Sequence, residues 1–430
     1  MHPWTQKSKI LVTCPKGASA YLKKEIEDLG FTVRREIDTT VQTEGTLEDT
    51  LLLNLHLRTA QRVLYQLQSF KVVSPGELYA KLNALPWEDI VHGGGKSAYL
   101  CVTSIVDNPS ITDSRFVNMK VKDAVVDRIR EKTSRRPDSG PEKDKAVIHL
   151  YWKNDQATVY IDTSGERLSM RGYRKIPLQA PMQETLAAAV IMATGWRENS
   201  SLVNPMCGSG TLAIEAALMA LGRAPGLTRT NFGFMHIRGF SQDIWQELRE
   251  RAREAVRKTL PFKIIASDID DFAVKAAKIN ARGAGVDHTI DFLTCSFAET
   301  PLPHGRGIII LNPPYGERLE AREDKPARDF NKKETRAGKT FIIRKGAAAK
   351  EKPVSGRQKL ETLYAGIGDF FKSAGASGSR FGYIFTGNLE MAKSVGLRTK
   401  QRMLFYNGDI ECRLLEYELY ADSRRRPKSS

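Results

Sequence analysis

The 430 residues are 41% hydrophobic and 27% charged, a balance that excludes general disorder and at this length implies two or three domains. Lysine and arginine number 66 against 50 acidic residues, a formal charge of +16, which points toward a polyanionic partner such as nucleic acid. The five cysteines, Cys14, Cys101, Cys207, Cys295 and Cys412, are scattered without C-x-x-C pairs or nearby histidines, so neither a disulfide framework nor a metal site is expected. No signal-like apolar segment opens the sequence and no run approaches the roughly 18 apolar residues of a membrane span, which sets the expectation of a cytoplasmic protein with no membrane partner.

In chain order, residues 9–45 read as strand, helix and strand: KILVTCP, the amphipathic SAYLKKEIEDLG closed by Gly30, and FTVRREI. From residue 46 to about 165, LEDTLLLNLHLRTAQRVLYQL and FVNMKVKDAVVDRIREK predict helices, and AYLCVTSIV, AVIHLYWK and QATVYIDT predict strands. Arg128, Arg130, Lys132, Arg135 and Arg136 would each serve a solvated helix face singly; together they make a basic cluster.

From about residue 178 the pattern changes to PMQETLAAAVIMATG, SLVNPMCGSG, TLAIEAALMALG, KIIASDI, DDFAVKAAKINARGAG, IDFLTCS and GIIILNPP. Strands apolar on both sides and separated by helices predict a parallel sheet covered on both faces, a doubly wound α/β domain. Residues 321–360 hold 13 basic and 5 acidic residues, a net +8, with little to bury; this reads as a flexible insertion, either simply solvated or wrapping RNA backbone.

Three stretches carry chemistry. Asn204-Pro205-Met206-Cys207-Gly208-Ser209-Gly210-Thr211 joins a strand to a helix, where glycines let the backbone turn tightly and approach a ligand; the same turn serves packing alone in many sheets. It lacks the G-K-[ST] ending of a phosphate loop. The next strand ends in Asp268, placed to accept hydrogen bonds from ribose hydroxyls, while Asp270 or Asp271 reads as a helix N-cap.

Asn312-Pro313-Pro314-Tyr315 follows the apolar run Gly307 to Leu311. Two prolines fix φ near −65° and hold the preceding residue extended, so the Asn312 amide and the Pro313 carbonyl are presented rigidly as two hydrogen-bond acceptors. Such a pair suits the two hydrogens of an exocyclic NH2 group, and Tyr315 offers a ring for the base that carries it.

The order NPMCGSGT, SDID, NPPYGERL resembles the class I S-adenosylmethionine-dependent methyltransferases that act on exocyclic amines. With RGYRK, APMQETLAAAV and FTGN…GLRTKQRMLFYNGDIECRL added, the chain resembles the bacterial THUMP-containing ribosomal RNA guanine-N2 methyltransferases over most of its length. The resemblance implies an α/β fold with a ferredoxin-like region over 1–45, a THUMP RNA-binding domain over 46–162 and a Rossmann-like methyltransferase domain over 163–430. It implies S-adenosyl-L-methionine as cofactor and RNA, large-subunit ribosomal RNA in particular, as partner. Asn204, Pro205, Gly208, Gly210, Asp268, Ser296 and Phe297 would bind the cofactor, with the glycines at its methionine part, Asp268 at the ribose and Ser296-Phe297 at the adenine. Asn312, Pro313, Pro314 and Tyr315 would form the catalytic turn, Tyr315 stacking on the base. Asn204 and Ser296 stand where such families usually carry aspartate, replacing a charged contact by a neutral one. Transfer RNA guanine, adenine-N6 and a glutamine amide are alternative acceptors for the same motif, and a non-catalytic RNA-binding assembly factor is the alternative of another class. Some relatives are fused to a second methyltransferase domain, which is not expected within these 430 residues.

Overall fold

In β1 (Ser8–Thr13) Ile10 and Val12 alternate inward, and in α1 (Ser19–Asp28) Leu22 and Ile26, four residues apart, face the same core. The computed structural model describes residues 4–95, 98–108, 113–178, 182–196, 200–303, 305–316, 356–376, 378 and 381–420. Most of the basic stretch 321–360, and with it the expected insertion, lies outside the described residues; its last five open a helix.

Beside β1 lie β3 (Thr40–Gly45) and β4 (Arg62–Lys71), antiparallel to it, with β2 (Arg35–Ile37) beyond β3 and α2 (Asp49–His56) joining β3 to β4. The sheet therefore runs on past residue 45. Two expectations are corrected here. The stretch LEDTLLLNLHLRTAQRVLYQL is not one helix: it stops at His56 and continues as β4. Its break is tertiary in origin, because the Glu25 carboxylate on α1 accepts the backbone N–H groups of Arg58 at 2.8 Å and Thr59 at 3.0 Å, drawing the chain out of helical register. In FTVRREI only the last three residues pair.

β4 also pairs with β8 (Gln156–Asp162), which pairs with β7 (Ala146–Lys153); β5 (Tyr99–Asp107) runs parallel to β7 and carries β6 (Asp138–Ser139) at its edge. One eight-stranded sheet results, in the order β2-β3-β1-β4-β8-β7-β5-β6. Against β5 packs α4 (Ser114–Thr133), which buries Val117, Val121, Val125 and Ile129, and against α4 packs α3 (Pro75–Asn83), N-capped by Ser74. Arg128 is not a free cation of the basic cluster, since its guanidinium grips Glu88 through two nitrogens at 3.0 and 2.7 Å.

The second sheet is built from β9 (Ser201–Pro205), β10 (Ile264–Asp268), β11 (Ile290–Thr294), β12 (Gly307–Leu311), β13 (Phe381–Thr386), β14 (Gln401–Asn407) and β15 (Ile410–Glu418), ordered β11-β10-β9-β12-β13-β15-β14. The first five are parallel, and β15 is antiparallel to both of its neighbours. Helices α5 (Glu184–Ala193), α6 (Thr211–Ala220), α7 (Gln242–Glu254), α8 (Asp271–Ala284) and α9 (Gly356–Ala376) complete the domain. Counted within the sheet the order is 3-2-1-4-5-7-6, and it reverses between β9 and β12. Ligands of open α/β sheets bind at such a reversal, outside the carboxyl ends of the strands.

The two halves meet backbone to backbone. A Cβ on Gly233 would lie 2.3 Å from the Asp162 carbonyl oxygen, and one on Gly226 2.7 Å from Leu55 Cα. Residues 171–176 strap the halves together. Arg171 donates to the carbonyls of Leu168, at 2.9 Å, and Arg58. Tyr173 donates to Glu215 of α6 at 3.0 Å, and Asn280 of α8 accepts the N–H groups of Lys175 and Ile176.

Candidate active site

The glycine turn, the acidic strand end and the proline turn converge on the carboxyl edge of β9, β10 and β12. Met206, Gly208 and Gly210 all have positive φ, at 54°, 54° and 82°. Met206 is the costly one, because a side chain disfavours this region. The two glycines differ in what they allow. A Cβ on Gly208 would meet nothing within 4 Å, so that residue opens onto space, whereas on Gly210 it would lie 2.9 Å from Ala277 Cβ on α8. Packing against α8 thus excludes a side chain at Gly210, whereas at Gly208 the space a side chain would take is open.

Asn204 is buried at the end of β9. Its Nδ2 donates to the Ile310 carbonyl at 2.8 Å, lacing β9 to β12, and its Oδ1 has no partner among the described residues. Pro205 ends the strand, opposite Ser267 of β10. Asp268 is half-buried, and its carboxylate accepts the N–H of Gly208 at 2.9 Å and of Asp270 at 3.1 Å, so it holds the glycine turn in place and keeps lone pairs for a ligand. Asp270 is the N-cap of α8, accepting from Phe272 N–H at 2.9 Å.

Ser296 and Glu299 cap each other around a single helical turn, the Glu299 carboxylate accepting Ser296 N–H at 3.2 Å. Phe297 sits edge-on to Phe370 of α9, with ring centroids 6.1 Å apart. Sequence reasoning missed Ile269, an apolar side chain 78% exposed directly after Asp268. An isolated exposed isoleucine is ordinary; its signal is its place between two aspartates at the carboxyl end of β10.

In the proline turn Asn312 and Tyr315 are half-buried, Pro313 is buried and Pro314 exposed. The Tyr315 hydroxyl donates to Asn312 Oδ1 at 2.9 Å, and the Cys412 thiol of β15 points at the hydroxyl oxygen from 3.9 Å. Burial pushes the Tyr315 pKa well above that of a free phenol. The Asn388 amide donates to the Tyr315 carbonyl at 2.7 Å, and the ring lies so close to Gly387 that a Cβ there would stand 3.2 Å from it.

Behind the glycine turn, Arg174 donates to Thr211 at 3.2 Å and pairs with Glu184 at 3.0 Å, while Asn280 donates to the Ser209 carbonyl at 3.2 Å. Burial raises the Glu184 carboxyl to about 6 against the pull of Arg174. A separate cleft of about 790 Å³ runs beside the edge strand β11; its Lys263 and Arg282 are already paired with Asp291 and Asp287, and it takes no part in this site. Among the described residues no group of three or more His, Cys, Asp or Glu side chains could hold a metal ion, and no helix is long and apolar enough to cross a membrane.

This order of strands, with a glycine turn after its first strand and an N-P-P-Y turn after its fourth, defines a class I methyltransferase domain. Family models agree along the chain: an RlmL ferredoxin-like domain over residues 9–64, a THUMP domain over 74–162 and an RMKL-like methyltransferase domain over 171–337. Together the three matches set a ferredoxin-like and a THUMP region ahead of a methyltransferase domain. It is 36% identical to the ribosomal RNA large subunit methyltransferase K/L of Syntrophotalea carbinolica, the match covering 96% of this chain and 53% of that protein. The chain thus spans about half the length of the curated relatives it matches. Among solved structures, a candidate methyltransferase complexed with SAH is 25% identical, with a TM-score of 0.76 over 98% of this chain and 100% of that one. A predicted N6-adenine-specific DNA methylase from Listeria monocytogenes is 28% identical, with a TM-score of 0.78 over 96% of each.

Proposed function

We propose that the protein transfers a methyl group from S-adenosyl-L-methionine to the N2 amine of a guanine in large-subunit ribosomal RNA. The observation that carries this reading is the juxtaposition, across the β9–β12 reversal, of a ligand-facing glycine turn with a rigid pair of acceptors. The names of the curated relatives support the choice of ribosomal RNA, and the neighbour complexed with SAH supports the cofactor.

The residues present fit the cofactor. Gly208 faces open space, Asn204 Oδ1 is a buried acceptor awaiting a donor, Asp268 has acceptor capacity beside the turn, and Ile269 and Phe297 offer apolar surface for a purine. Bound there, S-adenosylmethionine supplies an electrophilic methyl carbon. Asn312 Oδ1 and the Pro313 carbonyl accept the two N2 hydrogens, aiming the lone pair and stabilising the positive charge that grows on nitrogen. Asn204, Gly208 and Asp268 would hold the cofactor, which would supply the methyl carbon while its sulfur kept the electron pair of the broken bond, and the spare N2 proton would leave to water. Positioning carries much of the rate. The target base must leave its stack, which costs a few kcal/mol in a duplex and less in a loop. The THUMP half and the basic balance of the chain hold the RNA.

The test is transfer of labelled methyl to unmodified large-subunit ribosomal RNA, beside transfer RNA, followed by digestion to nucleosides, with Asn312→Ala as control. N2-methylguanosine in the ribosomal RNA, lost in the control, is the expected result. N6-methyladenosine, label confined to transfer RNA, or no label at all would each replace this reading.

A further inference from the structure

The Tyr315 side chain makes contacts that a ring serving for stacking alone does not require. A tyrosine serving only as a stacking platform needs its face clear and its hydroxyl in water. Here the ring is wedged against the Gly387 backbone, the carbonyl is held by Asn388, and the hydroxyl points back along its own turn to Asn312 Oδ1 at 2.9 Å. Asn388 is itself fixed, its N–H donating to Thr386 Oγ1 at 3.0 Å and its Oδ1 accepting Met391 N–H at 3.0 Å. Gly316 adds a further constraint, since a Cβ there would stand 2.6 Å from Leu360 Cδ1.

The demand on Asn312 is one of orientation. A side-chain amide is an acceptor on one side and a donor on the other, and only the acceptor side can receive an amine hydrogen. Rotated by half a turn, the same residue would oppose NH2 with NH2 and turn the amine away. Something must decide between the two orientations. Because the Cys412 thiol addresses the hydroxyl oxygen of Tyr315, the hydroxyl proton is left for Asn312. An amide oxygen has two lone pairs, so it can accept from Tyr315 and still accept from the substrate.

The geometry points to Tyr315 as a positioning residue: with its ring set by Gly387, its carbonyl held by Asn388 and its hydroxyl oxygen addressed by Cys412, its hydroxyl locks the Asn312 amide with its oxygen toward the acceptor amine. This deepens the proposed function and rests on it. It also explains why the turn N-P-P-Y and the distant segment FTGN belong together, since the second is the socket for the first.

The test separates the hydroxyl from the ring. Tyr315→Phe keeps the packing against Gly387 and any stacking surface but loses the hydroxyl. Expected is a fall in kcat of about tenfold or more with KM for RNA within twofold of wild type and an unchanged thermal midpoint. A second arm uses Asn312→Asp, whose two carboxylate oxygens are equivalent and have no wrong way round. On that background Tyr315→Phe should change kcat by less than twofold. A Tyr315→Phe enzyme with wild-type kcat, or one whose loss is as large in the Asn312→Asp background as in the wild type, overturns the inference. Wild-type protein that transfers no methyl to RNA would instead overturn the parent reading, so the two failures are distinguishable.

Discussion

Arg171 is 2% exposed and lies against Glu215, which is fully buried, with Nε and Oε1 3.6 Å apart. Replacing Arg171 by methionine keeps much of the volume but leaves a buried carboxylate with only the Tyr173 hydroxyl, and strips donors from the carbonyls of Leu168 and Arg58. Breaking one side of a buried ion pair costs about 3–5 kcal/mol. For a domain of some two hundred residues, each kcal/mol lowers the melting temperature by about 2–4 °C, so Arg171→Met should melt about 6 °C or more below wild type. Glu215→Gln removes the charge that becomes stranded while keeping an acceptor for Tyr173. Combined with Arg171→Met it should recover at least half of the loss, a coupling of about 2 kcal/mol in the double-mutant cycle. The assay is thermal unfolding followed by near-ultraviolet circular dichroism on wild type, both single variants and the double. A single variant within about 2 °C of wild type, or strictly additive losses, would refute the claim that this pair holds the strap between the halves.

Two further outcomes are expected. Gly210→Ala should destabilise the fold by about 1–3 kcal/mol through overpacking on Ala277, whereas Gly208→Ala should fold with only about 1–2 kcal/mol of left-handed strain and lose cofactor affinity instead; melting curves paired with cofactor titration separate them. His149, close to Thr103 at 2.9 Å, is pushed down to about 4 by burial and then by Arg62 and Lys143, below its unfolded value of 6.5. The folded state therefore binds fewer protons, and its stabilisation is present above pH 6.5 and lost as pH falls through about 4. Wild type should lose up to about 3 kcal/mol more than His149→Gln between pH 7 and pH 4 in urea titrations, and equal losses would contradict the assignment.

The parts of the site that could be read from the sequence are those whose chemistry is local. Glycines after a strand, an acid at the next strand end and paired prolines after a third constrain their own backbone, and the structure brings all three stretches to one edge. What could not be read depends on distant partners. The helix expected across residues 57–61 yields to a carboxylate some 33 residues earlier. The different space beside Gly208 and Gly210 is decided by Ala277 on another helix, and the aim of the Tyr315 hydroxyl by Cys412, 97 residues away. Asn204 looks like a weakened cofactor contact in the sequence; in the fold its amide nitrogen laces two strands, a role that a carboxylate could not take.

The central claim is that the β9–β12 crevice binds S-adenosylmethionine through the glycine turn and Asp268, and calorimetric titration of the cofactor into wild type and Asp268→Ala tests it directly. Saturable one-to-one binding by the wild type, weakened by about tenfold or more in the variant as expected for the loss of a charged hydrogen-bond acceptor, is the predicted result. Binding of equal strength by both proteins, or none by the wild type, would contradict it.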